Sequence, residues 1–164
     1  MVSSIIRAIL FAALVLAANP AVAEGQQIVG VATVIDGDTI EILGVRIRLF
    51  GIDAPEGGQT CRRSDGSPWR CAQQAALALQ DHIGRRPVTC LQRDVDRYRR
   101  PVCQCMIAGS DINAWLVRNG WAVAYTRYSR EYVQQEAEAR AARRGIWSGD
   151  FVMPWEWRRG ERLH

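Results

Sequence analysis

The 164-residue chain has no lysine, so all 21 of its Lys/Arg cations are arginine. A guanidinium is charged at any working pH and meets phosphate oxygens with a planar fork of donors, which suits it to polyanions. Regional base composition produces the same replacement, so the absence does not by itself name a ligand. Histidine is scarce too, limited to His82 and His164, which argues against chemistry that needs imidazole as base or ligand. There is no paired Cys-x-x-Cys spacing, and without histidines to complete a set this excludes a zinc site. No Gly/Ser-rich linker, internal repeat or low-complexity run divides the sequence. Net charge is only +4, a modest bias toward polyanions. The apolar run from Ala8 to Ala18, about eleven residues, is too short to cross a bilayer core of about 30 Å as a helix.

What is present begins with that run. Arg7 ahead of it and Ala21, Val22 and Ala23 behind it predict a cleavable export signal over residues 1–23, with Glu24 as the mature N-terminus. Losing Arg7 leaves 20 arginines against 17 acidic residues, so the net charge falls from +4 to +3. About 140 residues remain, enough for one domain with a real core and too few for two. Residues 24–150 are that domain, and 151–164 are a C-terminal tail. Export places the protein in the periplasm or outside the cell, with no stable membrane association after cleavage, and there thiols oxidise. Of the five cysteines, Cys61 and Cys71 bracket a polar loop whose closure stabilises by roughly 2.5 to 3 kcal/mol. Cys90 and Cys105 sit in neighbouring apolar segments and are the expected second pair. Cys103 and Cys105 point to the same side of one strand, however, so either can pair with Cys90.

Residues 28–35 alternate around Val29, Val31, Thr33 and Ile35, and residues 38–43 and 45–50 form two more β-rich runs about Leu43-Gly44. With a two-residue turn there, Arg48 falls opposite Thr39 and beside Asp38, while Val45, Ile47 and Leu49 face a core. A helix is expected to start near Ser67-Pro68 and to carry Ala72, Ala75, Ala76, Leu79 and Ile83 up to Gly84. Strands follow at about 87–92 and 101–107. Asp111 caps a helix carrying Ile112, Trp115 and Leu116, and Ser129 caps another over about 131–144. The order is β-β-β-α-β-α-α. Five short strands with a helix between the third and fourth form an α+β fold, a five-stranded OB-fold barrel that avoids open edges by closing on itself.

Two segments carry the chemistry, Val34-Ile35-Asp36-Gly37-Asp38-Thr39 and Arg46-Ile47-Arg48-Leu49-Phe50-Gly51-Ile52-Asp53-Ala54-Pro55-Glu56. A hard divalent cation needs several carboxylate and carbonyl oxygens, and Asp38, Asp53 and the Ala54 carbonyl supply them without nitrogen or sulfur. In these segments the chain closely resembles the staphylococcal nuclease (thermonuclease) family. Further matches, Asp96-Arg97-Tyr98-Arg99-Arg100, Leu116-Val117-Arg118-Asn119-Gly120 and Gly145-Ile146-Trp147-Ser148, follow in the same order and extend the resemblance over about residues 28–149.

The resemblance implies a metal site at Asp38, Asp53 and Ala54 with Ca2+ as its ion. It also implies Glu56 as the group that holds and deprotonates the attacking water, and Arg48 and Arg100 as phosphate-binding arginines. A carboxylate is a weak base, so the metal and arginines must do most of the work. Tyr98 and Tyr125 match positions near the bound nucleotide, and Tyr125 is as well explained by core packing. Asp36 holds the turn. The chain departs from the family where Arg99 replaces a glycine, so the loop is strained or reshaped if that backbone needs positive φ. Arg99 and Arg100 then compete for the phosphate. Ala54 stands where the best-known relatives have threonine. Trp115, Trp121 and Trp147 are expected in the core. The tail is expected to lay its tryptophans on the barrel with its arginines outward, the alternative being that it extends the substrate surface.

These residues imply an endonuclease acting on DNA and RNA, preferably single-stranded, as a monomer. A catalytically silent OB-fold module that only binds nucleic acid needs arginines and aromatics but no clustered carboxylates beside a polyanion. A disulfide-bonded interaction domain explains the cysteines and leaves the carboxylates unexplained.

Overall fold

The computed structural model describes residues 25–163; the export signal expected at residues 1–23 lies outside them. The first three strands, β1 (Gln27–Asp36), β2 (Thr39–Ile42) and β3 (Val45–Leu49), form the expected meander, and β4 (Pro87–Val95) and β5 (Pro101–Ile107) form a second hairpin. β1 pairs antiparallel with both β2 and β4, and β4 with β5. A parallel contact of β3 with β5, Arg48 opposite Val102 and Leu49 opposite Cys103, closes the sheet into a barrel. Asn113, fully buried, stitches the seam: its side chain donates to the carbonyls of Phe50 (2.9 Å) and Cys103 (3.2 Å) and accepts from the Cys105 amide (3.2 Å). The architecture is the expected five-stranded OB-fold barrel with helices, running β-β-β-α-β-β-α-α when both strands after the first helix are written out.

Ile40, Ile42, Ile47, Leu49, Val88 and Ile107 fill the barrel, each 2% exposed or less. β1 alternates, but its half-buried face carries Ile28, Gly30, Ala32 and Val34, while Val29, Val31 and Ile35 lie outside. Crowding decides this, because a Cβ on Gly30 would sit 2.7 Å from Ile42 Cγ2. Val45, expected inside, is 40% exposed at the hairpin end.

Helix α1 (Cys71–Ile83) packs Ala72, Ala75, Leu79 and Ile83 inward and stops at Gly84, φ 59°. It does not start at Ser67-Pro68. Pro68–Trp69 instead pairs with Cys61–Arg62, and the Cys61–Cys71 disulfide ties the chain there, so those backbone groups are committed before the helix begins. Helix α2 (Ile112–Arg118) is capped as expected, the Asp111 side chain accepting from the Ala114 amide at 2.9 Å. Helix α3 (Val133–Ala141) is shorter than expected, and Ser129 is not its cap: Ser129 Oγ accepts from Glu131 N one turn earlier. The buried Tyr132 starts the helix, its hydroxyl donating to Asp111 Oδ2 at 3.2 Å.

Gly120 and Gly145 mark a backbone crossing. A Cβ on either would lie within 2.2 Å of the other segment's carbonyl oxygen, and Ile146 N donates to Gly120 O at 3.0 Å. The second disulfide joins Cys90 to Cys105, which are direct partners in the β4–β5 register; Cys103 lies opposite Gln92 and is a free, buried thiol. Beyond the barrel, Cys61, Cys71, Val123 and Ile146 form a second apolar cluster, covered by Trp69, Trp147, Phe151, Met153 and Trp155. The last two precede and open the short helix α4 (Pro154–Trp157).

Candidate active site

The β1–β2 turn presents the first carboxylates. Asp36 Oδ1 accepts from the Asp38 amide at 3.1 Å, which fixes the turn as expected. Burial, followed by the Asp38 charge, pushes the Asp36 carboxyl up to about 6. Gly37 lets this turn lie directly on the segment after β3, since a Cβ there would stand 2.8 Å from Ala54 Cβ and 3.1 Å from Ala75 Cβ. In that close approach the Ala54 amide donates to Asp38 Oδ2 at 3.1 Å.

Asp53 is 0% exposed, held where Ile52–Asp53 pairs with Val123–Ala124. Arg48 sits opposite Thr39 in β3, as the turn length predicts. Its Nη2 is 2.8 Å from Asp53 Oδ1 and 3.2 Å from Asp38 Oδ2, so one guanidinium joins both stretches. Burial works against the Arg48 cation, yet attraction from Asp38 and Asp53 outweighs it and holds the group above its ordinary value. Burial raises the Asp53 carboxyl, opposed by hydrogen bonds from Arg158 and by the neighbouring guanidinium charges.

Glu56 leaves this segment at a Gly57-Gly58 turn. Its amide donates to Gln59 Oε1 at 2.9 Å, and Gln59 N donates back to Glu56 O at 2.7 Å. Gln59 is 1% exposed, and its Nε2 also donates to Val152 O at 2.6 Å, tying the turn to the tail.

Arg158 was expected to point outward and does not. Its Nη1 and Nη2 fork onto Asp53 Oδ1 and Oδ2 at 3.0 and 2.8 Å, and Nη1 also contacts Glu56 Oε1. The hydrogen bonds to Asp53 hold its guanidinium firmly charged, well above the ordinary arginine value. Arg158 and Gln59 were not legible as site residues, because nothing in their sequence neighbourhood signals a contact across the molecule.

Arg100 belongs to a different substructure. Its Nε donates to Asp96 Oδ2 at 2.7 Å, and Asp96 Oδ1 accepts from the amides of Tyr98 and Arg100, both at 2.9 Å, which organises the β4–β5 turn. Among the described residues no hydrogen bond or ion pair links Arg100 to Asp38, Asp53 or Glu56. It lies two residues before Val102, the partner of Arg48, at the entrance to the strand that closes against β3. Arg99 adopts φ 64°, so the backbone keeps the conformation that favours glycine despite the substitution. Tyr98 is 64% exposed with the Arg97 and Arg100 guanidiniums 4.8 and 5.5 Å from its ring. Tyr125 stacks on Trp155, centroids 5.4 Å apart, and meets Tyr128 edge-on.

The donor set suits a hard cation. Asp38 and Asp53 converge closely enough to share the Arg48 Nη2 group, and the Ala54 backbone is hydrogen-bonded to one of them. The set has oxygens and neither imidazole nor thiolate. Among the described residues no three Asp, Glu, His or Cys side chains make a metal cage by themselves. Two carboxylates, a backbone carbonyl and waters would therefore complete a shell here.

Residues 46–149, which contain Arg48, Asp53, Glu56 and Arg100, match the family described as staphylococcal nuclease homologue. The chain belongs to the staphylococcal nuclease family. Membership makes it a hydrolase of the nuclease class, with nucleic acid as the substrate class. Among its relatives, the micrococcal nuclease of Shigella flexneri is 34% identical over 80% of this chain and 80% of its own. Protein ParB of Escherichia coli is 35% identical over 95% of this chain and 92% of its own. The succinoglycan biosynthesis protein ExoI of Rhizobium meliloti (strain 1021) is 40% identical over 74% of this chain, which spans 65% of that relative's length. The tail carrying Arg158 lies beyond the family match. Two disulfides fit an oxidising compartment, and among the described residues no helix is long and apolar enough to cross a membrane.

Proposed function

We propose that this member is a calcium-dependent endonuclease that hydrolyses phosphodiester bonds in DNA and RNA, preferring single strands. The observation carrying the proposal is the convergence of Asp38, Arg48, Asp53, Ala54 and Glu56 from two separate stretches of chain. A protein that only bound a polyanion would gain nothing from buried carboxylates beside it, since they repel phosphate unless a cation intervenes.

Asp38, Asp53 and the Ala54 carbonyl would hold the calcium ion, which supplies Lewis-acid polarisation of the phosphoryl oxygen. Glu56, fixed by the Gln59 turn, orients the attacking water and takes its proton. Arg48 spends Nη2 on the two aspartates, and its Nε and Nη1 make no hydrogen bond among the described residues. These donors are free to meet the equatorial phosphate oxygens, where charge develops. Arg100 uses Nε on Asp96, and its two terminal nitrogens, which make no hydrogen bond among the described residues, would supply a second fork. Tyr98, exposed and flanked by cations, and Tyr125 offer ring faces that accept any base, and Arg99 adds charge to the same loop.

Residues 1–23 serve as the export signal in this proposal, residues 24–150 as the catalytic domain and 151–164 as a tail, with the mature protein a periplasmic or secreted monomer. The test is cleavage of single-stranded DNA by purified protein in calcium and in chelator, beside Glu56→Gln and Arg48→Ala. Calcium-dependent cleavage lost in both variants supports the assignment, and equal activity in all three proteins ends it.

A further inference from the structure

The tail meets the proposed cation site and the proposed base platform at the same time. Arg158 forks onto both oxygens of Asp53 and also contacts Glu56. Three residues earlier, Trp155 covers Tyr125 with their planes 11° apart. Helical spacing explains the coincidence, since positions three apart share a face, and Arg158 N continues the helix by donating to Pro154 O at 3.1 Å. The segment is anchored from behind by Met153 and Trp155 in the second apolar cluster and by the Gln59 bond to Val152.

Both Asp53 oxygens thus accept from a guanidinium, and a cation reaches them only if Arg158 leaves. Glu56 cannot present that oxygen to water while Arg158 holds it. A base cannot stack on the face of Tyr125 that Trp155 occupies. The alternative, that Arg158 is a third phosphate ligand, is disfavoured because its two terminal nitrogens are already committed to carboxylates in this conformation.

We propose that α4 with Arg158 is a self-inhibitory latch, in which Arg158 stands in for the cation on Asp53 and Glu56 and Trp155 stands in for a nucleobase on Tyr125. The inference rests on Asp38 and Asp53 being the cation ligands. A closed latch lowers apparent cation affinity by the fraction of time the site is open, so loosening it tightens binding without any new ligand.

The test is calorimetric titration of calcium into the full disulfide-bonded protein, wild type beside Arg158→Gln and Trp155→Ala. Affinity is expected to tighten at least about tenfold in the first and about threefold in the second. Trp155→Ala leaves the charge unchanged, so tightening there reports release of the tail and not loss of a nearby positive charge. Hydrogen exchange provides a second readout: calcium should accelerate exchange of the Trp157 and Arg158 amides, which bond back to Met153 and Pro154. Equal affinities in all three proteins, or amides that calcium leaves equally protected, overturn the latch and spare the cation site. Absence of calcium binding in wild type and both variants removes the cation reading itself, and the latch with it.

Discussion

Arg48 and Asp53 flank the Phe50-Gly51 corner, and Arg48 Nη2 donates to Asp53 Oδ1 at 2.8 Å. The bond crosses from a barrel strand to the segment that leaves it, so it couples closure of the barrel to placement of the carboxylates of the proposed site. Gly51, at φ 71°, makes the corner, and a Cβ there would press on the Tyr132 ring at 3.0 Å.

From this arrangement, Glu56→Gln and Arg48→Ala should each slow calcium-dependent cleavage of single-stranded DNA by at least about a hundredfold, about 3 kcal/mol of transition-state stabilisation. Single-turnover rates at saturating protein measure the effect apart from substrate affinity. Chelation of calcium should abolish cleavage by wild type, and restored calcium should recover it.

In the proposed mechanism Gln59 acts as a positioning residue, holding the Glu56 backbone through its side-chain oxygen and its amide. Gln59→Met keeps the volume but leaves the Glu56 amide and the Val152 carbonyl unpaired in a buried place, at a cost of about 1–3 kcal/mol. Denaturant unfolding should show that loss. The rate constant for cleavage should fall at least about threefold with little change in substrate affinity, as a displaced Glu56 requires. A variant with wild-type rate and stability would show that the turn does not depend on this side chain.

The β4–β5 turn separates backbone from charge. Arg99→Gly relieves a left-handed residue that costs about 1–2 kcal/mol, and glycine's extra freedom in the unfolded chain takes back about 0.5–1 kcal/mol. Thermal melting should therefore show a net gain of up to about 1.5 kcal/mol, which Arg99→Ala, still carrying a Cβ, will lack. Arg100→Ala should reduce cleavage at least about tenfold and Arg99→Ala less than about threefold. The reverse ranking would make Arg99 the phosphate ligand.

Cys103 supplies a pH signature. Burial pushes its thiol up to about 11, so the unfolded chain ionises first as pH rises. Its contribution is complete below the unfolded value near 9 and is lost progressively as pH climbs toward 11, by at most about 1.4 kcal/mol per unit. Cys103→Ala should lower stability at neutral pH through its small cavity and remove this alkaline component. An unchanged alkaline slope in the variant would assign it elsewhere.

Period-2 patterning and turn chemistry made the five strands and the helix order legible, and the two-residue turn at Leu43-Gly44 placed Arg48 opposite Thr39. Local alternation did not give the facing of β1. Gly30 faces inward where Ile42 on the neighbouring strand leaves no space for a Cβ, and that puts Val29, Val31 and Ile35 outside. The start of α1 was misplaced for a similar reason: Ser67 and Pro68 look like a cap, but the strand pair and disulfide at Cys61 take the same backbone.

The run holding Arg48, Asp53 and Glu56 determined the family, and with Asp38 it carries the proposed chemistry, because cation and phosphate recognition need carboxylates and guanidiniums wherever the chain carries them. Tertiary structure alone decided which cysteine pairs with Cys90, how the Gln59 turn holds Glu56, and that Arg158 closes on Asp53 from 105 residues away. Such contacts depend on which surfaces the barrel brings together, and side-chain spacing along the chain contains no distance of that kind.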